Sequence, residues 1–216
     1  MTRGRATVLM AAILTACGST AGSPGPGPST AVPVPSASPS PAAVTAPAVT
    51  PTSAVAVIAR ANEVLAALKA KDGVRLAALV DPVEGARFSP YPYVRTDNDV
   101  LLSAAEIGRG FSDPVLRVWG RTDGKGDLIR LTFADYVARY VYDRDYLANA
   151  QISVGHTNGD GNSIDNTKTV YPAATLVEFY RPSSPNTIDW RAVRLLFEQR
   201  SGTWYLVAVV HGEWTI

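Results

Sequence analysis

The sequence predicts an α+β domain in which helices come first and an antiparallel sheet completes the core last. Two alternating apolar runs, Trp190 to Gln199 and Thr203 to His211, meet at Ser201-Gly202 in the pattern of a β-hairpin with a two-residue loop. Far upstream, Ala54 to Lys71 repeats its apolar residues at helical spacing. Helices that precede long strands in this way favour a layer of helices packed on one face of the sheet.

Composition places the whole core in the second part of the chain. The protein has 216 residues, and no charged residue lies between Arg5 and Arg60. Every aromatic residue falls at or after Phe88. The segment from Ala54 onward is long enough to bury roughly 70% of the surface that its unfolded chain exposes. We therefore expect a single α+β domain over residues 54–216.

Residues 1–16 have the features of a secretory signal peptide, with a basic start, a short apolar stretch and small residues before Cys17. The tetrad Leu14-Thr15-Ala16-Cys17 resembles a bacterial lipobox, which implies cleavage before Cys17 and lipidation of that residue. An ordinary secretory signal with an incidental cysteine is the alternative. Several acyl chains, at ~0.8 kcal/mol per buried methylene, would hold the mature chain stably on a membrane. We expect a lipid-anchored protein on the extracytoplasmic side of the cell membrane.

We expect residues 17–53 to comprise the lipidated cysteine and a spacer. Nine of the 16 prolines in the chain lie between Gly18 and Ser53, among Gly, Ala, Ser, Thr and Val. A segment without charged or aromatic residues cannot build a core, and its prolines favour extended conformations. We expect a disordered linker, with a proline-rich recognition motif as the alternative.

Charge, cysteine and histidine content argue against several classes of function. The formal net charge is +1 and the lysines and arginines form no cluster, so nucleic-acid binding has no electrostatic basis. Cys17 is the single cysteine, which leaves the domain without an internal disulfide or a thiolate for zinc or catalysis. The two histidines, His156 and His211, lie on different predicted elements and in no metal-binding motif. We expect neither a metal nor a cofactor.

Capping residues, turn residues and periodicity predict the remaining elements. Pro90 and Pro92 argue against a regular central strand between Gly85 and Tyr93. The other predicted elements are a short helix over Val74 to Val80, a helix from Ser103 to Gly110, strands over Val115 to Arg121 and Leu128 to Leu131, a helix after Thr132, a strand over Gln151 to Gly155, a polar loop over His156 to Lys168 and a long strand over Thr169 to Tyr180 interrupted by Pro172.

The hairpin register decides which side chains share a face. The pairs predicted on the apolar face are Phe197 with Leu206, Leu195 with Ala208 and Val193 with Val210. The other face would then be mixed and carry Arg194, Glu198, Tyr205 and His211. A slip of one residue would exchange the two faces.

Glu178, in the strand before the hairpin, completes a set of candidate catalytic residues. The set consists of Glu178, Arg194, Tyr205 and His211. Ionisable groups among apolar strand residues need partners, so ion pairs on an outer face or at a dimer interface explain them without catalysis. If the mixed face lines a pocket instead, Glu178 would act as a base with Tyr205 or His211 as its partner.

Three stretches carry a resemblance to a known superfamily. They are Arg87-Phe88-Ser89-Pro90-Tyr91, Leu131-Thr132-Phe133-Ala134-Asp135-Tyr136 and the terminal run Trp204 to Ile216. With the order of helices and strands, they resemble bacterial lipoproteins that contain a nuclear-transport-factor-two-like (SnoaL, ketosteroid isomerase) domain. The resemblance implies a cone-like fold with a curved sheet whose outer face often forms a homodimer. It implies no particular activity, because isomerases, dehydratases, transport adaptors and binding domains share this fold.

The turn from Asn158 to Asp165 places oxygen-bearing side chains at alternate positions, as a calcium loop does. However, Ser163 and Thr169 stand where an EF-hand requires Gly and a bidentate Glu. An ordinary surface turn is therefore the favoured interpretation.

These observations predict a non-catalytic, lipid-anchored domain that binds a small apolar ligand or a protein partner of the envelope. Tyr91, Tyr93 and Trp214 are the predicted contact residues. A small-molecule isomerase or hydrolase that uses a carboxylate with Tyr or His in the cone is the alternative, and a purely structural envelope protein is the third hypothesis. A cavity of ~300 Å³ or more would favour ligand binding or catalysis over a structural role.

Overall fold

A six-stranded mixed sheet forms the centre of the domain, and most of the helices pack on one of its faces. The computed structural model of the chain describes residues 51–158 and 164–215. The helices are α1 (Pro51–Ala70), α2 (Gly73–Leu79), α3 (Ala104–Gly110), α4 (Phe133–Tyr140), α5 (Tyr146–Asn149) and α6 (Thr167–Val170). The strands are β1 (Ala86–Ser89), β2 (Val100–Leu102), β3 (Arg117–Arg121), β4 (Leu128–Leu131), β5 (Gln151–Val154), β6 (Thr175–Arg181), β7 (Arg191–Arg200) and β8 (Thr203–Glu213). The predicted α+β class is confirmed.

The local sequence signals that predicted helices α1 to α4 are confirmed. Lys71 adopts the left-handed conformation (φ 54°) that ends α1, and the Asp72 side chain caps the first turn of α2. The predicted capping box at Ser103 and the predicted cap at Thr132 both form, and they begin α3 and α4. Of the helices in the described part of the chain, none is long and apolar enough to cross a membrane.

The sheet order is β2-β1-β8-β7-β6-β5, and only the β1–β8 pair is parallel among the pairs of this sheet in the described residues. The sequence predicted an irregular strand between Gly85 and Tyr93, whereas β1 pairs regularly with both of its neighbours over Ala86–Ser89. Strand β1 ends at Ser89, one residue before Pro90, and the prolines therefore stay outside the hydrogen-bonded ladder. The short strands β1 and β2 extend the predicted antiparallel sheet on the far side of β8.

A β-bulge interrupts the pairing of β7 with β8. Phe197 lies opposite Leu206 as predicted, but the next pair joins Leu196 to Ala208. Val207 is therefore an extra residue on β8, which is the definition of a bulge. Beyond this point every residue of β8 is displaced by one position from the predicted register.

The bulge moves His211 to the face that the helices cover. Leu195 lies opposite Val209, and Val193 lies opposite His211 rather than Val210. Because directly opposed residues of an antiparallel pair point to the same side, His211 shares the core face with Val193. The predicted placement of His211 on the mixed face was wrong.

Aromatic side chains dominate the core between the sheet and the helices. Phe88 of β1 meets the rings of Trp119, Phe133 and Tyr136 edge-on, at centroid distances of 5.9, 5.6 and 6.1 Å. Trp119 also stacks on Tyr136 at 3.9 Å, with an angle of 13° between the ring planes. These rings belong to β1, β3 and α4, so their packing ties the separate β3–β4 hairpin to the main sheet.

The chain itself covers the central part of the outer sheet face. The apolar residues buried there are Val94, Leu176, Leu196, Val207, Ala208 and Val210. Residues of the 166–174 segment pack across them, and the side chain of Asn166 bonds to both the N–H and the carbonyl of Val94, at 2.7 and 3.0 Å. The long strand predicted from Thr169 therefore starts only at Thr175, because α6 and Pro172 occupy its first half.

Candidate functional site

Glu178 and Arg194 form a buried ion pair across β6 and β7. Arg194 Nε donates to Glu178 Oε2 at 2.8 Å, and Arg194 Nη1 donates to Asp165 Oδ2 at 3.0 Å. The other oxygen, Glu178 Oε1, accepts from the backbone N–H of Asn158 at 2.5 Å. The exposed fractions of the Glu178 and Arg194 side chains are 0% and 3%. Each carboxylate oxygen of Glu178 thus accepts a hydrogen bond, and the pair fastens the neighbouring loop to the sheet.

Tyr205 and His211, the other two candidate catalytic residues, lie away from this pair. Tyr205 is on the outer face but lies opposite Glu198, near the turn of the hairpin. His211 is on the inner face, where its ring meets Tyr140 edge-on at 5.7 Å. The four residues therefore do not share a site.

His211 is fully buried beside a charged cluster. Glu213 Oε2 lies 3.7 Å from His211 Nε2, and the Glu213 carboxylate also pairs with Arg139 at 3.0 Å and Arg191 at 3.2 Å. Burial alone would raise the pKa of Glu213, but His211 and Arg139 outweigh this effect and lower the pKa to about 2. The cluster joins α4 to the last two strands.

Replacing Glu213 with glutamine is expected to lower the free energy of unfolding at neutral pH by about 3 kcal/mol, since each pKa unit corresponds to about 1.36 kcal/mol. The folded-state pKa of about 2 lies below the usual value of 4.5, so this stabilisation is present above that value and is lost as the pH falls towards 2. Urea unfolding across this pH range would measure it. The exposed Glu84 provides the control, because Glu84→Gln is expected to change stability by at most ~0.5 kcal/mol. A Glu213→Gln effect that does not vary with pH would contradict the ionic role.

An open groove of about 840 Å³ lies between the β1–β2 loop and the β3–β4 hairpin. Its walls combine apolar and polar side chains. The lining residues that bear on its chemistry are Tyr91, Tyr93, Arg95, Asn98, Asp99, Gly120, Arg121 and Asp123. Because the aromatic core holds β3 against β1, the two walls of the groove are supported by packed elements.

Two of the three predicted contact residues line this groove. Tyr93 is 47% exposed, and the Arg95 guanidinium lies 5.4 Å from the centre of its ring. Tyr91 is partly buried, and its hydroxyl accepts from the backbone N–H of Asp123 at 3.2 Å. Trp214 is exposed and is not among the residues that line the groove.

Asp99 is a buried carboxylate in the groove wall, and the sequence did not single it out. Its Oδ2 accepts from the backbone N–H of Arg95 at 2.8 Å and from the hydroxyl of Ser89. Burial raises the pKa of Asp99 above its usual value, while Ser89, Arg95 and the charge of Arg87 act in the opposite direction. Its Oδ1 makes no hydrogen bond within the described residues and faces Gly120, 3.9 Å from the point where a Cβ there would lie.

Two tyrosines of α4 lie behind the groove wall. Burial raises the pKa of Tyr140 to about 12, and the nearby Tyr91 contributes to the shift. Tyr136 is fully buried, which raises its pKa well above the usual value, and Asp99 adds to the effect. The Tyr136 hydroxyl has no hydrogen-bond partner among the described residues. Both phenols are therefore protonated at neutral pH.

Within residues 51–158 and 164–215, no group of three or more His, Cys, Asp and Glu side chains could hold a metal ion. The middle of the predicted calcium-like turn, residues 159–163, lies outside the described residues, as does Cys17. His156 is exposed, and its Nδ1 is 3.2 Å from the carbonyl oxygen of Val154.

Comparisons with known proteins add a distant structural neighbour. The sequence matches no protein-family profile and no curated protein. Among solved structures, the chain is similar to a protein from Xanthomonas campestris described as a candidate calcium/calmodulin dependent protein kinase II association domain, with 12% sequence identity and a TM-score of 0.34. The alignment covers 79% of this chain and 92% of that one. The architecture itself defines the class: an α+β domain with helices packed on a mixed, curved sheet.

Proposed function

We propose that this chain is a lipid-anchored extracytoplasmic domain that binds a small ligand in the groove between the β1–β2 loop and the β3–β4 hairpin. The observation that carries the proposal is the groove of about 840 Å³, whose wall presents the exposed ring of Tyr93 and the carboxylate of Asp99. Ligand pockets usually measure roughly 300–1,000 Å³ and combine apolar walls with a few placed polar groups. Both features are present here.

The wall favours an amphipathic ligand over the wholly apolar ligand predicted from the sequence. Asp99 is part of the groove wall, and Arg95 and Asp123 add charge to the same wall. An apolar molecule would remove these groups from water without bonding to them, at a cost of about 1–3 kcal/mol for each unsatisfied group. A ligand with both apolar surface and hydrogen-bonding groups avoids that cost.

If Tyr93 contacts the ligand, the Tyr93→Ala variant is expected to lose it. The measurement is native mass spectrometry of the full chain released from detergent micelles, which detects a small molecule that co-purifies with the protein. Tyr205→Ala is the matched control, because Tyr205 lies near the hairpin turn and outside the groove wall. Retention of the ligand by Tyr93→Ala would contradict the proposal, and so would a wild-type chain that neither carries a ligand nor binds one of the probes described below.

Membrane attachment rests on the lipobox Leu14-Thr15-Ala16-Cys17 and on the apolar stretch before it. The wild-type chain is expected to partition into the detergent phase, because several acyl chains on one residue bind a bilayer stably. A Cys17→Ser chain is expected in the aqueous phase. Phase partitioning of both proteins from membrane preparations would test this, and a Cys17→Ser chain that stays with the membrane would refute lipid anchoring.

The superfamily and the oligomeric state belong to the same proposal. The motifs Arg87 to Tyr91 and Leu131 to Tyr136 support a bacterial lipoprotein with a nuclear-transport-factor-two-like domain. A homodimer would have to avoid the covered centre of the outer sheet face. The edge strands β2 and β5, with the exposed side chains of Leu101 and Ile152, remain for such a contact.

A small-molecule isomerase or hydrolase is the second candidate function, favoured by one observation. Asp99 is a buried carboxylate whose pKa burial raises, and it lines a groove that also contains Tyr91. These properties are those expected of a general acid or base, and they support this role for Asp99 rather than for Glu178. Conversion of the co-purified molecule by the wild type but not by Asp99→Asn would select catalysis over binding alone.

A further inference from the structure

The charged side chains of the groove wall balance each other. Arg95 and Arg121 carry two positive charges, and Asp99 and Asp123 carry two negative charges. The arginines would repel a cationic ligand and the carboxylates would repel an anionic one. The wall therefore favours neither a positive nor a negative charge on the ligand. A neutral hydroxyl both donates and accepts hydrogen bonds, so it can bond to either kind of side chain. The wall therefore favours a neutral ligand rich in hydroxyl groups.

Asp99 supplies a preformed acceptor for such a group. The residue is only 7% exposed, and Ser89 and Arg95 hold its Oδ2 in place. Its Oδ1 has no donor among the described residues and lies at the groove wall. A hydrogen bond to an ionised carboxylate is about twice as strong as a neutral one. A hydroxyl that reaches Oδ1 would therefore gain a strong bond.

Gly120 keeps the approach to this acceptor open. Its φ of 132° is a conformation that side-chain-bearing residues rarely adopt. A Cβ at this position would lie 3.3 Å from Pro90 Cγ and 3.9 Å from Asp99 Oδ1. The absence of a side chain here leaves space beside the carboxylate.

Tyr93 adds the apolar surface that a sugar ring requires. Tyr93 lines the groove and is nearly half exposed, and the Arg95 guanidinium lies 5.4 Å from the centre of its ring. A sugar ring presents C–H groups on one face and hydroxyls around its edge. Stacking that face on an aromatic ring directs the hydroxyls towards the polar side chains beside it. Asn98, next to Asp99, offers a further donor and acceptor.

We propose, on the basis of the binding function above, that the ligand of this groove is a neutral saccharide. Its ring stacks on Tyr93, and one of its hydroxyls donates to Asp99 Oδ1. The observations that carry this are the balanced charges, the open acceptor and the exposed aromatic ring in one groove.

The experiment titrates the full chain, in micelles of a detergent without a sugar headgroup, with neutral hexasaccharides of glucose, mannose and N-acetylglucosamine up to about 10 mM. Saturation-transfer NMR and tryptophan fluorescence report binding. At least one saccharide is expected to bind saturably. Asp99→Asn and Tyr93→Ala are each expected to weaken it about tenfold or more, because the first removes the charged acceptor and the second removes the ring on which the sugar stacks. Tyr93→Phe keeps the ring and is expected to bind as the wild type does.

Asp97→Asn is the matched control for Asp99, because Asp97 is an exposed carboxylate of the same loop and does not line the groove. It is expected to leave saccharide affinity unchanged. Thermal unfolding of every variant separates loss of the site from loss of the fold. If Asp99→Asn and Tyr93→Ala bind the saccharide as tightly as the wild type does, the saccharide binds elsewhere and the proposal is overturned.

Failure of the saccharide proposal is distinguishable from failure of the binding function. If no hexasaccharide binds while a different molecule co-purifies and is lost in Tyr93→Ala, the groove is a binding site and the saccharide class is wrong. A proline-rich peptide is a separate probe, because extended prolines also pack on exposed tyrosines. If that peptide binds and no saccharide does, the saccharide proposal is likewise overturned. If no molecule co-purifies and no probe binds, both proposals fail.

Discussion

Replacing Arg194 with methionine is expected to produce one of the two largest losses of stability, about 3–5 kcal/mol, because it leaves Glu178 as an unpaired buried charge. Methionine preserves most of the side-chain volume, so packing contributes little to the loss. The fully buried Glu178 carboxylate would keep only the backbone donor of Asn158 at 2.5 Å. Chemical denaturation at neutral pH, followed by circular dichroism, would measure the change in the free energy of unfolding.

A double-mutant cycle separates the ion pair from other effects. The double variant Glu178→Gln with Arg194→Met is expected to be more stable than Arg194→Met alone, since it no longer buries an uncompensated charge. Arg60→Met is the control, because Arg60 and Glu63 form a solvent-exposed pair at 2.9 Å that contributes at most ~1 kcal/mol. An Arg194→Met loss no greater than that of Arg60→Met would show that the buried pair is not critical.

Phe88→Ala is expected to have an effect of similar size, about 3–5 kcal/mol, through a different mechanism. Phe88 is fully buried at the point where β1 meets β3 and α4, and its ring touches three other aromatic rings. Truncation would leave a cavity that Trp119 and Tyr136 cannot fill without giving up their own stacking at 3.9 Å. The same denaturation experiment, with near-ultraviolet circular dichroism of the aromatic residues, would detect the loss.

Two controls accompany Phe88→Ala. Phe88→Leu retains most of the buried volume and is expected to cost less than about 1.5 kcal/mol. Val83→Ala removes carbon atoms from a highly exposed side chain and is expected to change stability by no more than ~0.5 kcal/mol. If Phe88→Ala resembles Val83→Ala, the ring cluster does not hold the hairpin against the sheet.

Helices were predictable because their start and stop signals lie within a few residues of one another. The Ser103 capping box and the Thr132 cap each involve bonds to a backbone N–H three residues ahead, and both formed. Strand β1, which was expected to be irregular, and strand β2, which was not expected, were mispredicted for the opposite reason. They contain four and three residues, too few for a period of two to be visible, and their partners lie elsewhere in the chain.

The candidate site was predictable only in part. Tyr91 and Tyr93 were identified because the prolines beside them keep this segment out of the sheet, which leaves the two tyrosines free to line the groove. Asp99 was missed because the stretch Thr96-Asp97-Asn98-Asp99 has the composition of an ordinary polar turn. Its burial depends on Ser89 and on the hairpin that carries Gly120, which only the folded chain brings together.

The sequence by itself determined the class of fold, helices α1 to α4 and the pairing of Phe197 with Leu206, since these depend on periodicity and on neighbouring residues. Only the tertiary structure decided that Val207 forms a bulge and that His211 therefore faces the core. The physical reason is that a strand with apolar residues on both faces satisfies either register locally. The packing of helices on one face and of the 166–174 segment on the other selects the register, and those contacts join residues far apart in the chain.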